Sequence, residues 1–233
     1  MRKGSLFICE NCAYEAPKWL GKCPSFVEQA GQRPQATGRS SPTRQEATPL
    51  VFAAAETDQE PRLVIGRPEL DRLFGGGLVP GSMVLLGGEP GAGKSTLLLQ
   101  VAALLTAQYG RVLYVSAEES KAQIRLRAER LGINGPELYL LPDDEIEAVR
   151  TEIERLNPVA VVLDSIQTLK NSDRPGLAGS PAQVREVVQN IMGLVKERGM
   201  ICFLVGHITK SGLLAGPKLI EHLVDVVLYF EGD

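Results

Sequence analysis

The run Gly88-Glu-Pro-Gly-Ala-Gly-Lys-Ser-Thr96 constrains the fold of this chain most, because its spacing matches G-x-x-x-x-G-K-[ST]. An apolar segment, Met83–Leu86, precedes it, and a helical pattern, Thr96–Gln108, follows it. Glycines let backbone N–H groups converge on an anion without a Cβ clash, and a helix N-terminus adds the positive end of its dipole. This strand–loop–helix unit predicts a cradle for nucleotide phosphates.

The residue types of this loop predict how it binds ATP and Mg²⁺. Lys94 is expected to neutralise the β- and γ-phosphates, and the Ser95 hydroxyl to ligate the magnesium ion. The predicted ATP contacts are Gly88, Glu89, Pro90, Gly91, Ala92, Gly93, Lys94, Ser95 and Thr96. The alternative is a chance glycine-rich turn, and the flanking strand and helix patterns argue against it.

Carboxylates follow two other apolar segments. Asp164 ends the segment Val159–Leu163, where it can hold the water shell of Mg²⁺ or simply begin a turn. Glu118 and Glu119 follow the segment Val112–Val115. We predict that Glu118 is the catalytic base that polarises the attacking water, with Glu119 as the second candidate. A charge that only complements a helix dipole remains the ordinary interpretation for one of the two.

His207 follows the apolar segment Met200–Val205. A polar group at this position can touch the γ-phosphate and report its loss. We therefore predict that His207 contributes to catalysis together with Glu118 and Lys94. A single histidine at a strand end is more often structural, and the residues alone leave both interpretations open.

Apolar runs and amphipathic segments alternate through residues 61–233. Further strands are predicted at Leu138–Leu141 and Val226–Phe230, and further helices at Lys121–Leu131, Glu145–Leu156 and Pro181–Arg198. Strands that are apolar throughout and separated by helices are typical of a parallel sheet covered on both faces. The predicted fold class is α/β, a P-loop ATPase core with a mainly parallel sheet.

The first 60 residues differ in composition from this core. Residues 1–29 are a small cysteine-rich, finger-like segment with Cys9, Cys12 and Cys23, three of the four cysteines of the chain. Residues 30–60 are rich in Ser, Thr, Pro, Gln and Ala, which predicts a linker. The predicted domains are therefore 1–29, the linker 30–60 and the core 61–233.

Composition narrows the class of protein only a little. A net charge of −3 neither favours nor excludes nucleic acid, because a DNA-binding ATPase needs basic residues only in a channel or a few loops. No apolar run approaches the roughly 20 residues that span a bilayer, and the N-terminus lacks the apolar region of a signal peptide. We predict a cytoplasmic protein without a membrane partner.

These motifs together resemble the RecA-type P-loop ATPases and, in particular, the RadA (Sms) family of bacterial DNA repair proteins. The resemblance covers nearly the whole chain outside the linker. It rests on segments that match in order and spacing: Cys9–Pro24, Gly66–Ser82, Gly88–Thr96, Val115–Ser120, Leu163–Thr168, Val205–Lys210 and Leu214–His222.

The resemblance implies a RecA-like fold and a DNA-dependent ATPase of homologous recombination and DNA repair. Such proteins form homo-hexameric rings, bind single-stranded DNA and drive branch migration of recombination intermediates, and a recombinase is a candidate partner. The family also implies that Glu118 is the base. It implies that loops at about 170–180 and 210–218 face the DNA, with Lys170, Arg174, Lys210 and Lys218 as the predicted contacts. Without the family, these would be ordinary solvated loops.

Two departures from the family pattern bear on function. The family has a four-cysteine zinc finger, whereas this chain has Phe26 where the second cysteine of the second pair is expected. Cys9, Cys12 and Cys23 therefore predict a Zn²⁺ site that lacks its fourth ligand. The chain also stops at Asp233, before the family's Lys-Asn-Arg-Phe-Gly motif and C-terminal domain. The alternatives are a truncated nucleotide-binding module with little DNA-coupled turnover, or a clock- or signalling-type ATPase without a DNA role.

Overall fold

A computed structural model of the chain describes residues 61–172, 178–207 and 220–231, together with two short strands. The chain divides into two compact units, Met1–Ala55 and Glu56–Asp233. In the first unit, β1 (Phe7–Ile8) pairs antiparallel with β2 (Glu15–Ala16). The predicted zinc ligands Cys9, Cys12 and Cys23 lie outside the described residues.

The second unit alternates strands and helices along the chain. Its strands are β3 (Met83–Gly88), β4 (Val112–Ser116), β5 (Leu138–Leu141), β6 (Ala160–Asp164), β7 (Ile201–His207) and β8 (Val226–Phe230). Its helices are α1 (Pro68–Leu73), α2 (Lys94–Tyr109), α3 (Lys121–Arg130), α4 (Ile146–Leu156) and α5 (Pro181–Arg198), and a 3₁₀ turn covers Glu221–Leu223. Every strand and helix that the sequence predicts is present within two residues of its predicted ends.

These strands form one six-stranded sheet in the order β5-β4-β6-β7-β3-β8, and every neighbouring pair is parallel. The carboxyl ends of all the strands therefore lie along one edge of the sheet. The glycine-rich loop follows β3 at this edge, and β4, β6 and β7 end beside it. Ligands of open α/β sheets bind outside these carboxyl ends, where the strand order reverses.

Side chains of successive strand residues enter two separate cores. In β6, Val161 and Leu163 face one core, which α4 and α5 cover, whereas Ala160 and Val162 face the other, which α2 covers. This alternation follows from the two-residue period of a strand. Both faces of the central strands are therefore buried, and the predicted α/β class with a mainly parallel, helix-covered sheet is confirmed.

The helices differ from the sequence prediction chiefly at α1 and at the start of α2. Helix α1 was not predicted, since none of its six residues is buried and Leu73 is 60% exposed. Helix α2 begins at Lys94 rather than Thr96, because Gly93 with φ of 106° ends the loop in a left-handed conformation. Within the described ranges, no helix has the length and apolar character needed to cross a membrane.

Replacing Ile191 by alanine is expected to lower the free energy of unfolding by about 3 kcal/mol, because the deletion leaves a cavity between α5 and the sheet. Urea unfolding followed by far-UV circular dichroism measures this. Gln189→Ala is the control, since Gln189 lies two residues earlier on the exposed face of the same helix. Equal midpoints for the two variants would contradict this assignment of the core.

Candidate nucleotide site

The loop between β3 and α2 has a backbone that needs its glycines. Gly91 and Gly93 have φ of 81° and 106°, which side chains with a Cβ rarely adopt. At Gly88 the need is one of space, because an added Cβ would lie 2.4 Å from the carbonyl oxygen of Phe230 in β8. The loop therefore leaves the sheet beside an edge strand and turns directly into the N-terminus of α2.

Lys94 points into this loop and is almost fully buried, with 3% of its surface exposed. Its Nζ donates hydrogen bonds to the carbonyl oxygens of Gly88 at 2.9 Å and Glu89 at 2.7 Å. Burial lowers the pKa of Lys94, and the charges of Asp164 and Glu118 oppose this shift. A desolvated cation that is held by two loop carbonyl oxygens and influenced by two carboxylates fits the phosphates of a nucleotide with its magnesium ion.

Asp164 ends β6 and is held by a phenol from the neighbouring strand. The hydroxyl of Tyr114 donates to Oδ2 of Asp164 at 2.7 Å, and the same hydroxyl lies 3.4 Å from the carbonyl oxygen of Ser95. Burial, followed by the charge of Asp164, raises the pKa of Tyr114, so the phenol stays a donor. Among the described residues no donor contacts Oδ1 of Asp164, which leaves that oxygen for a hydrated magnesium ion.

Glu118 lies where the ends of β4, β6 and β7 meet. Its Oε1 accepts a hydrogen bond from the Ser165 hydroxyl at 2.5 Å, and Nε2 of His207 lies 3.3 Å from the same oxygen. Ser165 follows Asp164 directly, through a cis peptide bond. The structure thus brings together Lys94, Asp164, Glu118 and His207, the residues for which the sequence predicts metal binding or catalysis.

The second candidate base, Glu119, faces a different partner. Its Oε1 accepts a hydrogen bond from Nη2 of Arg127 in α3 at 2.6 Å, and this contact raises the pKa of Arg127. The next residue, Ser120, forms a capping box with Gln123 at the start of α3. Glu119 is therefore engaged with the helix, whereas Glu118 faces the strand ends.

The positive charge of Lys170, the first predicted DNA contact, is paired with two carboxylates. Its Nζ lies 2.8 Å from Oδ2 of Asp144 and 3.5 Å from Oε1 of Glu145, and these contacts raise the pKa of Lys170. The other three predicted contacts, Arg174, Lys210 and Lys218, lie outside the described residues. In residues 61–172, 178–207 and 220–231, no cluster of three or more His, Cys, Asp or Glu residues could hold a metal ion.

Comparison with known proteins places these residues in a family. A model of the AAA domain matches residues 44–212, and a model of the rubredoxin metal binding domain matches residues 7–25. The DNA repair protein RadA of Bacillus subtilis strain 168 is 47% identical over 238 residues, covering 98% of this chain and 52% of that protein. The RadA of Listeria monocytogenes serovar 1/2a is 48% identical over 241 residues, with 100% and 52% covered.

The chain belongs to the AAA domain family. It spans about half the length of the curated RadA proteins that it matches. A crystal structure of a KaiC-like protein from Pyrococcus horikoshii OT3 superposes with a TM-score of 0.54 at 23% identity, covering 72% of this chain and 81% of that one. This likeness confirms the predicted RecA-like P-loop fold, and the relatives confirm the resemblance to RadA.

Two residues of the site were not singled out from the sequence. Tyr114 is the one aromatic residue in the strand Val112–Ser116, and Ser165 is a hydroxyl directly after the predicted magnesium ligand. Both signals are visible in the sequence. Neither predicts a partner, because each residue bonds a carboxylate about 50 positions away along the chain.

Proposed function

We propose that this chain is the nucleotide-binding core of a DNA-dependent ATPase that acts in DNA repair and homologous recombination. The observation that carries the proposal is the buried ammonium of Lys94, enclosed by the glycine-rich loop and influenced by the carboxylates of Asp164 and Glu118. A cation at the start of α2 and two carboxylates beyond the ends of β4 and β6 suit phosphoryl transfer to water. The similarity of nearly the whole chain to DNA repair proteins named RadA supports the role in repair.

Each residue of the cradle has a separate task in this proposal. The backbone of Gly88–Thr96 and the ammonium of Lys94 bind the β- and γ-phosphates of ATP. Ser95 and Asp164 hold magnesium, which when bound neutralises charge on the phosphate oxygens. Glu118 takes the proton from the attacking water as the γ-phosphoryl group leaves ADP. His207 reports whether the γ-phosphate is present.

Single-stranded DNA is the proposed polymer partner. Lys170, Arg174, Lys210 and Lys218 would contact its phosphates. The two segments that carry them are connected to the cradle, because Ser165 precedes the first and His207 the second. Lys170 would have to exchange Asp144 and Glu145 for a phosphate. Assembly into a hexameric ring, branch migration of recombination intermediates, a recombinase partner and a cytoplasmic location belong to the same proposal.

A zinc ion is the proposed ligand of the first unit. The match to the rubredoxin metal binding domain covers residues 7–25 and so includes Cys9, Cys12 and Cys23. Three thiolates can bind zinc when water or a neighbouring chain supplies the fourth ligand.

The test is ATP turnover by the purified chain with and without single-stranded DNA, with Lys94→Met as the blank. We expect turnover that DNA raises several-fold, that is absent in the blank, and whose DNA response weakens as salt increases. Turnover without any DNA response would contradict the DNA part of the proposal. ATP binding without turnover would instead indicate a nucleotide-binding module.

A further inference from the structure

The carboxylate of Glu118 is held through one of its two oxygens. Both neighbours of this group, the hydroxyl of Ser165 and Nε2 of His207, contact Oε1. Within the described part of the chain, Oε2 has no hydrogen-bond partner. The side chain is thus fixed in orientation while one basic oxygen stays free.

Ser165 is itself fixed by its surroundings. It is fully buried, and its carbonyl oxygen accepts a hydrogen bond from the Thr168 hydroxyl at 2.8 Å. The following amide, of Ile166, donates to the carbonyl oxygen of Val205 in β7 at 3.0 Å. The Ser165 hydroxyl therefore meets Glu118 from a backbone that is tied to two adjacent strands, and it cannot turn towards solvent.

We propose that Ser165 is a positioning residue for ATP hydrolysis, whose hydroxyl holds Oε1 of Glu118 so that Oε2 faces the attacking water. The inference rests on the proposed hydrolysis of ATP. As the water oxygen bonds to the γ-phosphorus and the bond to the ADP oxygen breaks, Oε2 accepts the proton of the water. Ser165 keeps its own proton throughout, and its hydroxyl donates a hydrogen bond to Oε1 before and after the step.

The chemistry of the neighbours explains why a serine suits this place. A hydroxyl is small enough to be buried against a carboxylate, and it brings no charge that would neutralise the base. His207 contacts the same oxygen but is partly exposed, with 28% of its side chain accessible. The buried contact fixes the carboxylate, whereas the exposed one can be broken without moving Ser165.

The first measurement compares steady-state kinetics of Ser165→Ala with the unaltered chain. We expect kcat to fall about tenfold, because the loss of the hydrogen bond that orients Glu118 raises the activation free energy by roughly 1.4 kcal/mol. The KM for ATP and the affinity for a fluorescent ATP analogue should stay within about twofold, because Ser165 is not in the phosphate loop. Ser82→Ala is the matched control, since Ser82 is also buried but precedes β3 at the opposite end of the sheet.

A double-mutant cycle separates positioning from a merely structural role. With Glu118→Gln already present, Ser165→Ala should lower the residual rate no further, because no base remains to be oriented. A second loss of about tenfold in that background would overturn the inference, as would a kcat for Ser165→Ala equal to that of the control. If the unaltered chain itself has no turnover above Lys94→Met, the proposed ATPase function fails, and the inference fails with it.

Discussion

Glu118→Gln is expected to lower kcat for ATP by at least about 100-fold, because a positioned general base contributes roughly 10² to 10⁴ to a rate. The amide oxygen of glutamine can still accept the hydrogen bond of Ser165, so the fold around the strand ends is kept. What is lost is a group able to take the proton of the water. Nucleotide affinity, measured with a fluorescent ATP analogue, should stay within about threefold of the unaltered chain.

Glu119→Gln is the matched control, since it makes the same isosteric change one residue later. Glu119 pairs with Arg127 in α3 and both side chains are mostly buried, so the expected loss is about 1–2 kcal/mol of stability, since the glutamine oxygen can still accept a hydrogen bond from Arg127. Its turnover should remain within a few-fold of the unaltered chain. If Glu119→Gln is the inactive variant and Glu118→Gln the active one, the assignment of the base is reversed.

Lys94→Met is expected to weaken ATP binding about 100-fold and to abolish turnover. Methionine keeps most of the apolar stem but has no ammonium, and each lost charge-assisted hydrogen bond to phosphate is worth about 1.5–3 kcal/mol. Equilibrium titration with labelled nucleotide measures the affinity. Lys121→Met, at the exposed start of α3, is the control and should bind as the unaltered chain does. Equal affinities for the two variants would show that the phosphates bind elsewhere.

The unaltered chain and Lys94→Met also test the burial of Lys94, through the pH dependence of their stability. The pKa of Lys94 is lowered in the folded chain from its ordinary value of 10.5, so the charged form is disfavoured by folding. Below the lowered pKa this cost is fully present, and it disappears as the pH rises towards the unfolded value. The stability of the unaltered chain relative to Lys94→Met should therefore increase between neutral pH and about pH 10. Urea unfolding at several pH values measures the difference.

Much of the fold could be predicted because the residue types along a short segment indicate which of its positions are buried. The strand Ala160–Asp164 is apolar until its last residue, as a strand covered on both faces must be. The order of the strands could not be predicted, since the pairing of β4 with β6 and of β3 with β7 depends on contacts far apart in sequence. Helix α1 was missed because a helix with no buried residue leaves no apolar period.

The site residues could be predicted where a sequence motif fixes the backbone conformation. They stayed ambiguous where the direction of a side chain depends on a turn. The loop motif carries its own geometry, so its residues could be named in advance. Glu118 was preferred over Glu119 as the base, but the strand pattern could not show which of the two faces the strand ends, because the chain has left the regular strand there and two-residue alternation no longer determines direction. The ion pairs of Lys170 with Asp144 and Glu145 could not be predicted either, since these carboxylates lie about 25 residues earlier in the chain.

The place where the glycine-rich loop leaves the sheet has a mechanical consequence. Gly88 is in register with His207 of β7 on one side and with Phe230 of β8 on the other. Because Gly88 has no side chain, its backbone lies directly beside both neighbouring strands. Any movement of the loop when phosphate enters must therefore be absorbed within the loop or passed at once to both neighbouring backbones. The last residues of β7 and β8 are therefore the first positions outside the loop that a shift of Gly88 would displace.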